Sequence, residues 1–222
     1  MRKFRTVNVD LGNVCSLQCP ACARTMFRDG RNGYERGKVP GRPLPLSEIE
    51  SITDYFEVIT FCGQNSDPQF HPDFHKILKI CTRKKRSVRV HVAATGKPKR
   101  WWTQAFIISM NHDITWVFGI DGLPKDSHKY RINQDGEFLY EMMLRCAKYK
   151  IKTVWSYIIF NYNENNIQEC RDMANKHGIS FELVNSCRWY NETMESLKPS
   201  DNFVGLSQDK KQQSTRSLVT PP

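Results

Sequence analysis

The sequence predicts an α/β fold, a partial (βα)6 barrel open on one side. Three observations predict it. Six short runs rich in β-branched and aromatic residues alternate with helix-like segments between residue 6 and about residue 184. The gaps between them are short, apart from one long polar stretch near the start. Three cysteines crowd directly after the first run, where parallel α/β folds carry their chemistry.

Taken in order, Thr6 to Leu11 reads as the first strand, and Asn13 to Pro45 as a long loop rich in Gly, Arg and Pro. Ser47 is the expected N-cap of a helix opening Glu48-Ile49-Glu50. Val58–Phe61 is a short buried strand, Pro72 to about Lys84 a helix, Val88–Ala93 a strand and Arg100–Met110 a helix. Ile114–Ile120 is the fourth strand, Glu137–Lys150 a helix and Thr153–Phe160 the fifth strand. Asn165–His177 is a helix stopped by Gly178 as its C′ residue, and Ile179–Val184 is the sixth strand. Strands separated by helices imply parallel βαβ units, and right-handed crossovers curl such a series toward a barrel. Six units instead of eight leave it unclosed. The expected core domain covers residues 1–190. Residues 191–222 form a polar C-terminal extension, expected to be a short disordered tail from about residue 207.

The chain has 222 residues, 39 % of them hydrophobic and 11 % aromatic, which is enough for one substantial core and excludes compositional disorder. No apolar run approaches the ~20 residues needed to span a bilayer, and no signal-peptide stretch follows the start, so a cytoplasmic location is expected. A monomer is expected. The net charge of +10 fits either an anionic partner or a solvated surface. Eight cysteines in a reducing compartment do not call for disulfides. Cys62, Cys81, Cys146, Cys170 and Cys187 stand singly, as buried small side chains usually do, whereas Cys15, Cys19 and Cys22 call for a metal or a cluster.

The spacing Cys15-x3-Cys19-x2-Cys22 lets three thiolates wrap one inorganic core. On a four-iron cubane it leaves one iron open, unlike electron-transfer ferredoxins, in which cysteine closes all four positions. The bland alternative is a non-catalytic protein with structural zinc or iron–sulfur.

This spacing after a first strand resembles the signature of the radical S-adenosylmethionine (SAM) superfamily. Further segments fall at successive strand ends. Gly63-Gln64-Asn65-Ser66-Asp67-Pro68 resembles a Gly-Asx-x-x-Asp-Pro second-strand motif of a SPASM/twitch-related subgroup. Phe118 to Leu123, with His128 and Tyr130-Arg131, and then Trp155 to Glu164, are similar to that subgroup's fourth- and fifth-strand segments.

The resemblance implies a [4Fe–4S] cluster on Cys15, Cys19 and Cys22, SAM chelated to the open iron, and reductive cleavage of SAM to a 5′-deoxyadenosyl radical that abstracts hydrogen from a substrate C–H bond. It implies SAM contacts from Gly63 and Asp67 (ammonium), Arg131 (carboxylate), Asp121 (ribose), and Ser156 and Asn163 (ribose or methionine end). A reductant such as flavodoxin or ferredoxin is the expected partner. The substrate is expected to be a peptide or protein side chain, or an anionic nucleotide or nucleic acid. The basic segment 24–42, with Arg24, Arg28, Arg31, Arg36, Lys38 and Arg42, is the expected lid or anion clamp. Two departures stand out. Thr95-Gly96 replaces a common Thr-Asn-Gly, and only Cys187 occupies the region where SPASM members carry auxiliary cluster ligands.

Overall fold

The computed structural model describes residues 5–31, 35–189 and 192–204. Its centre is one six-stranded, all-parallel sheet in sequential order: β1 (Thr6–Val9), β2 (Val58–Phe61), β3 (Ser87–Val92), β4 (Ile114–Gly119), β5 (Lys152–Ile158) and β6 (Ser180–Val184). The first and last strands do not pair, so the curled sheet stays open. Between strands run α2 (Leu46–Tyr55), α3 (Phe74–Arg83), α4 (Lys99–Ser109), α5 (Gly136–Lys148) and α6 (Ile167–Asn175). The predicted partial (βα)6 barrel is the observed fold.

The core lies between the sheet's convex face and these helices. Strand alternation sends Ile59, Phe61, Val88, Val90, Trp116, Phe118, Trp155 and Tyr157 outward into it. On α3, Phe74, Ile77, Leu78 and Cys81 recur at i, i+3, i+4 and i+7, which makes one buried stripe. Trp102 and Phe106 of α4 meet Trp116 of β4 with ring centroids 5.9 and 5.2 Å apart. Asp135 caps α5 by accepting the Phe138 amide at 2.9 Å.

Several boundaries differ from expectation. The stretch read as one loop contains α1 (Ala23–Asp29), whose amphipathic signal is masked by its arginines. Helix α2 begins at Leu46 after Pro45, so Ser47 lies inside the first turn and does not cap it. Strand β5 ends at Ile158, two residues early, because the Asn163 side chain captures the chain there: its Oδ1 accepts from the Phe160 amide at 2.8 Å and its Nδ2 donates to the Ile158 carbonyl at 2.9 Å. Residues 164–166 form a 3-10 turn ahead of α6. Gly178 has the left-handed φ of 66° expected of a C′ residue.

Beyond β6, α7 (Glu192–Glu195) and α8 (Asp201–Val204) follow. Met194 of α7 is fully buried against Ala21, Tyr130 and Phe160, and this small second cluster covers one side of the cysteine loop. The tail expected from residue 207 lies outside the described residues. No helix among the described residues is long and apolar enough to cross a membrane.

Candidate active site

The C-terminal ends of the strands enclose a cavity of about 220 Å³. Cys15, Cys19 and Cys22 line it together, with Cys62 and Gly63 from the end of β2, His91 from β3, Gly119 from β4, Ser156 from β5 and Arg131. Cys15 and Cys19 are largely buried. Burial, with the Asp67 carboxylate adding to it, pushes the Cys15 thiol up to about 12. Burial likewise pushes Cys19 to about 11, against the opposing charge of Arg131. Both are therefore thiols at neutral pH until a cation is present to ionise them. Among the described residues no three or more Cys, His, Asp or Glu side chains stand close enough together, as placed, to hold a metal ion. The three cysteine sulfurs nevertheless open onto one void, which suits a soft iron–sulfur or zinc centre.

The loop after β2 is fixed by carboxylates. Asp10, just past β1, accepts from the amides of Gln64 (2.9 Å) and Asn65 (2.6 Å) and from the Ser66 hydroxyl. The turn is so tight that a Cβ on Gly63 would lie 1.6 Å from the Ser66 carbonyl oxygen. Asp67 is buried, with Oδ2 accepting from the Ala93 and Ala94 amides, both at 2.8 Å. Its Oδ1 accepts from the Gln69 amide at 3.2 Å and from Gln69 Nε2 at 3.1 Å. Four donors occupy the four lone-pair positions of one carboxylate. As placed, Asp67 therefore clasps the β2 loop to the end of β3 and has no acceptor left for an outside ammonium. Gln64, neither Asn nor Asp, stands second in this motif.

Asp121 is also fully buried. Its Oδ1 accepts the Ile158 amide at 2.8 Å, and its Oδ2 lies 2.8 Å from Arg131 Nε. Burial works against the guanidinium charge, but the Asp121 carboxylate more than restores it, and Arg131 is raised above its ordinary value. The ion pair holds Arg131 along β4, where Gly119 leaves room: a Cβ there would lie 2.7 Å from the Arg131 Nη2. The terminal nitrogens of Arg131 have no hydrogen-bond partner among the described residues, and the side chain lines the cavity.

Gly63, Arg131 and Ser156 thus share the cavity with the three cysteines. Asp67 borders it with its carboxylate turned into the chain. Asp121 and Asn163 lie behind it, and both hold backbone. Asp10, Cys62, His91 and Gly119 were not singled out from sequence as site residues. The available signal was position: each stands at or near the C-terminal end of a parallel strand. The basic segment is partly self-neutralised. Arg28 and Arg31 pair with Asp29 at 2.8 and 2.5 Å, Lys38 with Glu35 at 2.7 Å, and Arg42 with Glu48 at 2.6 Å.

No family model and no curated protein sequence matches this chain. Solved structures do. SuiB from Streptococcus suis bound to S-adenosylmethionine superposes with a TM-score of 0.67 at 15 % identity, over 89 % of this chain and 44 % of SuiB. The complex of SuiB with its precursor peptide SuiA gives 0.65 at 16 % identity, over 89 % of this chain and 42 % of that one. The chain shares their fold. The structure of anSMEcpe with bound AdoMet gives 0.57 at 11 % identity, over 82 % of this chain and 51 % of that one. This chain therefore spans less than half the length of SuiB and about half that of anSMEcpe.

Proposed function

We propose that this chain is a radical SAM enzyme whose Cys15, Cys19 and Cys22 hold a [4Fe–4S] cluster at the mouth of the open barrel. The observation that carries the reading is the convergence of these three thiols on one cavity with a buried, ion-paired arginine whose terminal N–H groups are unoccupied. When bound, the reduced cluster and SAM supply a carbon-centred radical for abstraction of hydrogen from a substrate C–H bond. The chain's own residues bind, orient and enclose. Arg131 offers a planar fork for the SAM carboxylate, held in direction by Asp121. The backbone of the Gly63 turn offers carbonyls to the ammonium, with Asp10 and Asp67 keeping that turn in place. Ser156 faces the ribose or methionine end. Trp189, Met194 and Leu197 cover the Cys19 side, where Arg188 Nη1 donates to the Ala21 carbonyl at 3.2 Å. A one-electron donor such as flavodoxin or ferredoxin completes the proposal. The structural likeness to AdoMet-bound proteins supports this reading through fold only.

The test is anaerobic loading with iron and sulfide, followed by dithionite and SAM. The expected products are 5′-deoxyadenosine and methionine. Cys15→Ala, Cys19→Ala and Cys22→Ala should each abolish iron retention and SAM cleavage, while Cys187→Ser should keep both. Iron-loaded protein that makes no 5′-deoxyadenosine sinks the proposal. One observation bears on a second reading: Cys62 lines the same cavity and is the one further sulfur there that a four-thiolate structural zinc would need. Loss of metal in Cys62→Ser, with no visible iron–sulfur absorption in the wild type, would favour zinc.

A further inference from the structure

A serine or threonine inside a helix can donate its hydroxyl to the carbonyl three or four residues before it. Helices α2 and α4 show this bond. Thr53 donates to the Ile49 carbonyl at 2.8 Å, Thr103 to the Lys99 carbonyl at 3.0 Å, and Ser109 to the Ala105 carbonyl at 2.8 Å. Thr25 of α1 differs. It is 2 % exposed, and its Oγ1 is buried with no hydrogen-bond partner. Both carbonyls within its reach are engaged. That of Cys22, three residues before, accepts the amides of Thr25 at 3.0 Å and Met26 at 3.2 Å, which takes up its two lone pairs. That of Ala21, four residues before, accepts from Arg188 Nη1 at 3.2 Å.

A buried hydroxyl left unpaired costs ~1–3 kcal/mol, and this oxygen is shielded from solvent. Valine would fill nearly the same volume without that cost. The position calls for an acceptor that the polypeptide does not supply. Thr25 stands one helical turn after Cys22, the N-cap of α1, and positions three apart lie on the same side of a helix. Cys22 lines the cavity with Cys15 and Cys19. As a thiol it is a donor, with its Sγ 3.7 Å from the Gln64 carbonyl oxygen. Ionised on a metal, the same sulfur donates nothing and becomes an acceptor.

We propose that the Thr25 hydroxyl donates to a sulfur of the iron–sulfur centre at Cys22 and raises the potential at which that centre takes up its electron. The added electron increases the negative charge on the sulfurs, so a donor aimed at one of them favours the reduced state. The proposal deepens the radical SAM reading and rests on it for the presence of the centre.

Wild type, Thr25→Val, Thr25→Ala and Thr25→Ser would be loaded anaerobically with iron and sulfide. Visible absorption scores uptake of the centre, and potentiometric titration followed by electron paramagnetic resonance reads its reduction. Thr25→Val should favour the oxidised centre roughly ten-fold at a given potential, a downward shift of about 59 mV for one electron. Thr25→Ala also lacks the hydroxyl, should shift the same way, and gives the reading if the valine variant does not load. Thr25→Ser keeps the hydroxyl and should stay near the wild-type potential. Urea unfolding of the metal-free full chains separates this role from packing: with no acceptor inside the polypeptide, Thr25→Val should be at least as stable as wild type. Wild-type potentials in the variants without the hydroxyl, a serine shift as large as theirs, or a lower urea midpoint for metal-free Thr25→Val overturns the proposal while the radical SAM reading stands. Wild-type protein that takes up no iron–sulfur centre removes that reading and the proposal with it.

Discussion

Removing the Asp67 carboxylate tests the clasp between the β2 loop and β3. In Asp67→Ala, the backbone amides of Ala93, Ala94 and Gln69 lose their acceptor, and Gln69 Nε2 keeps only the Ala94 carbonyl at 2.6 Å. A hydrogen bond to a charged acceptor contributes ~1.5–3 kcal/mol, and each buried N–H left unpaired costs ~1–3 kcal/mol. Burial of the carboxylate acts in the opposite sense. It raises the Asp67 pKa, and the backbone bonds from Ala93 and Ala94 only partly oppose it. The net expected loss is about 3 kcal/mol, less than the sum of four bonds because removing the buried charge also removes its desolvation cost. With an m-value of ~2 kcal/mol/M, the urea midpoint should fall by roughly 1.5 M. Asp67→Asn should not rescue it, since an amide brings two donors into a ring of four donors. The assay is urea unfolding followed by circular dichroism, paired with SAM binding to the cluster-loaded protein. An unchanged midpoint together with a ten- to hundred-fold loss of SAM affinity would refute the clasp and make Asp67 a direct ligand.

Three further outcomes follow from the same geometry. Gly63→Ala places a methyl group inside the Ser66 carbonyl, so the turn must open; a loss on the order of 3 kcal/mol in urea unfolding and weakened SAM binding are expected, and a wild-type midpoint would contradict the turn as described. Asp121→Ala should leave Arg131 as an uncompensated buried cation and lower stability by ~3–5 kcal/mol, whereas the double variant Asp121→Ala/Arg131→Met should recover much of that in a double-mutant cycle. Because the folded pKa of His91 lies below its unfolded value of 6.5, its contribution is complete above that value and declines as pH falls toward about 4. Stability measured across that window should therefore decline by up to roughly 3 kcal/mol more in the wild type than in His91→Gln, and parallel curves would contradict the burial of His91.

Local pattern was enough for the architecture. Period-two runs and helical stripes specify six strands and the helices between them, because side-chain alternation is a property of each segment alone. Gly178 and the Cys15-x3-Cys19-x2-Cys22 spacing are legible for the same reason, since a left-handed C′ position and a short chelating loop are local features. Helix α1 was missed because its arginines hide a short amphipathic turn, and the residues around Met194 were read as polar because only packing against Phe160 reveals their buried side.

The division of labour at the site was decided by tertiary structure. Asp10, Asp67 and Asp121 look alike in sequence, as carboxylates at strand ends. Register and curl determine that Asp10 binds the Gln64 turn, that Asp67 takes amides from β3, and that Asp121 pairs with Arg131. Arg89 and Glu182 are 93 residues apart and meet only across the curled sheet. A sequence displays which groups can donate, accept or carry charge. Which of them are already satisfied by the chain, and which remain free for a ligand, depends on distances between strands that only the folded state sets.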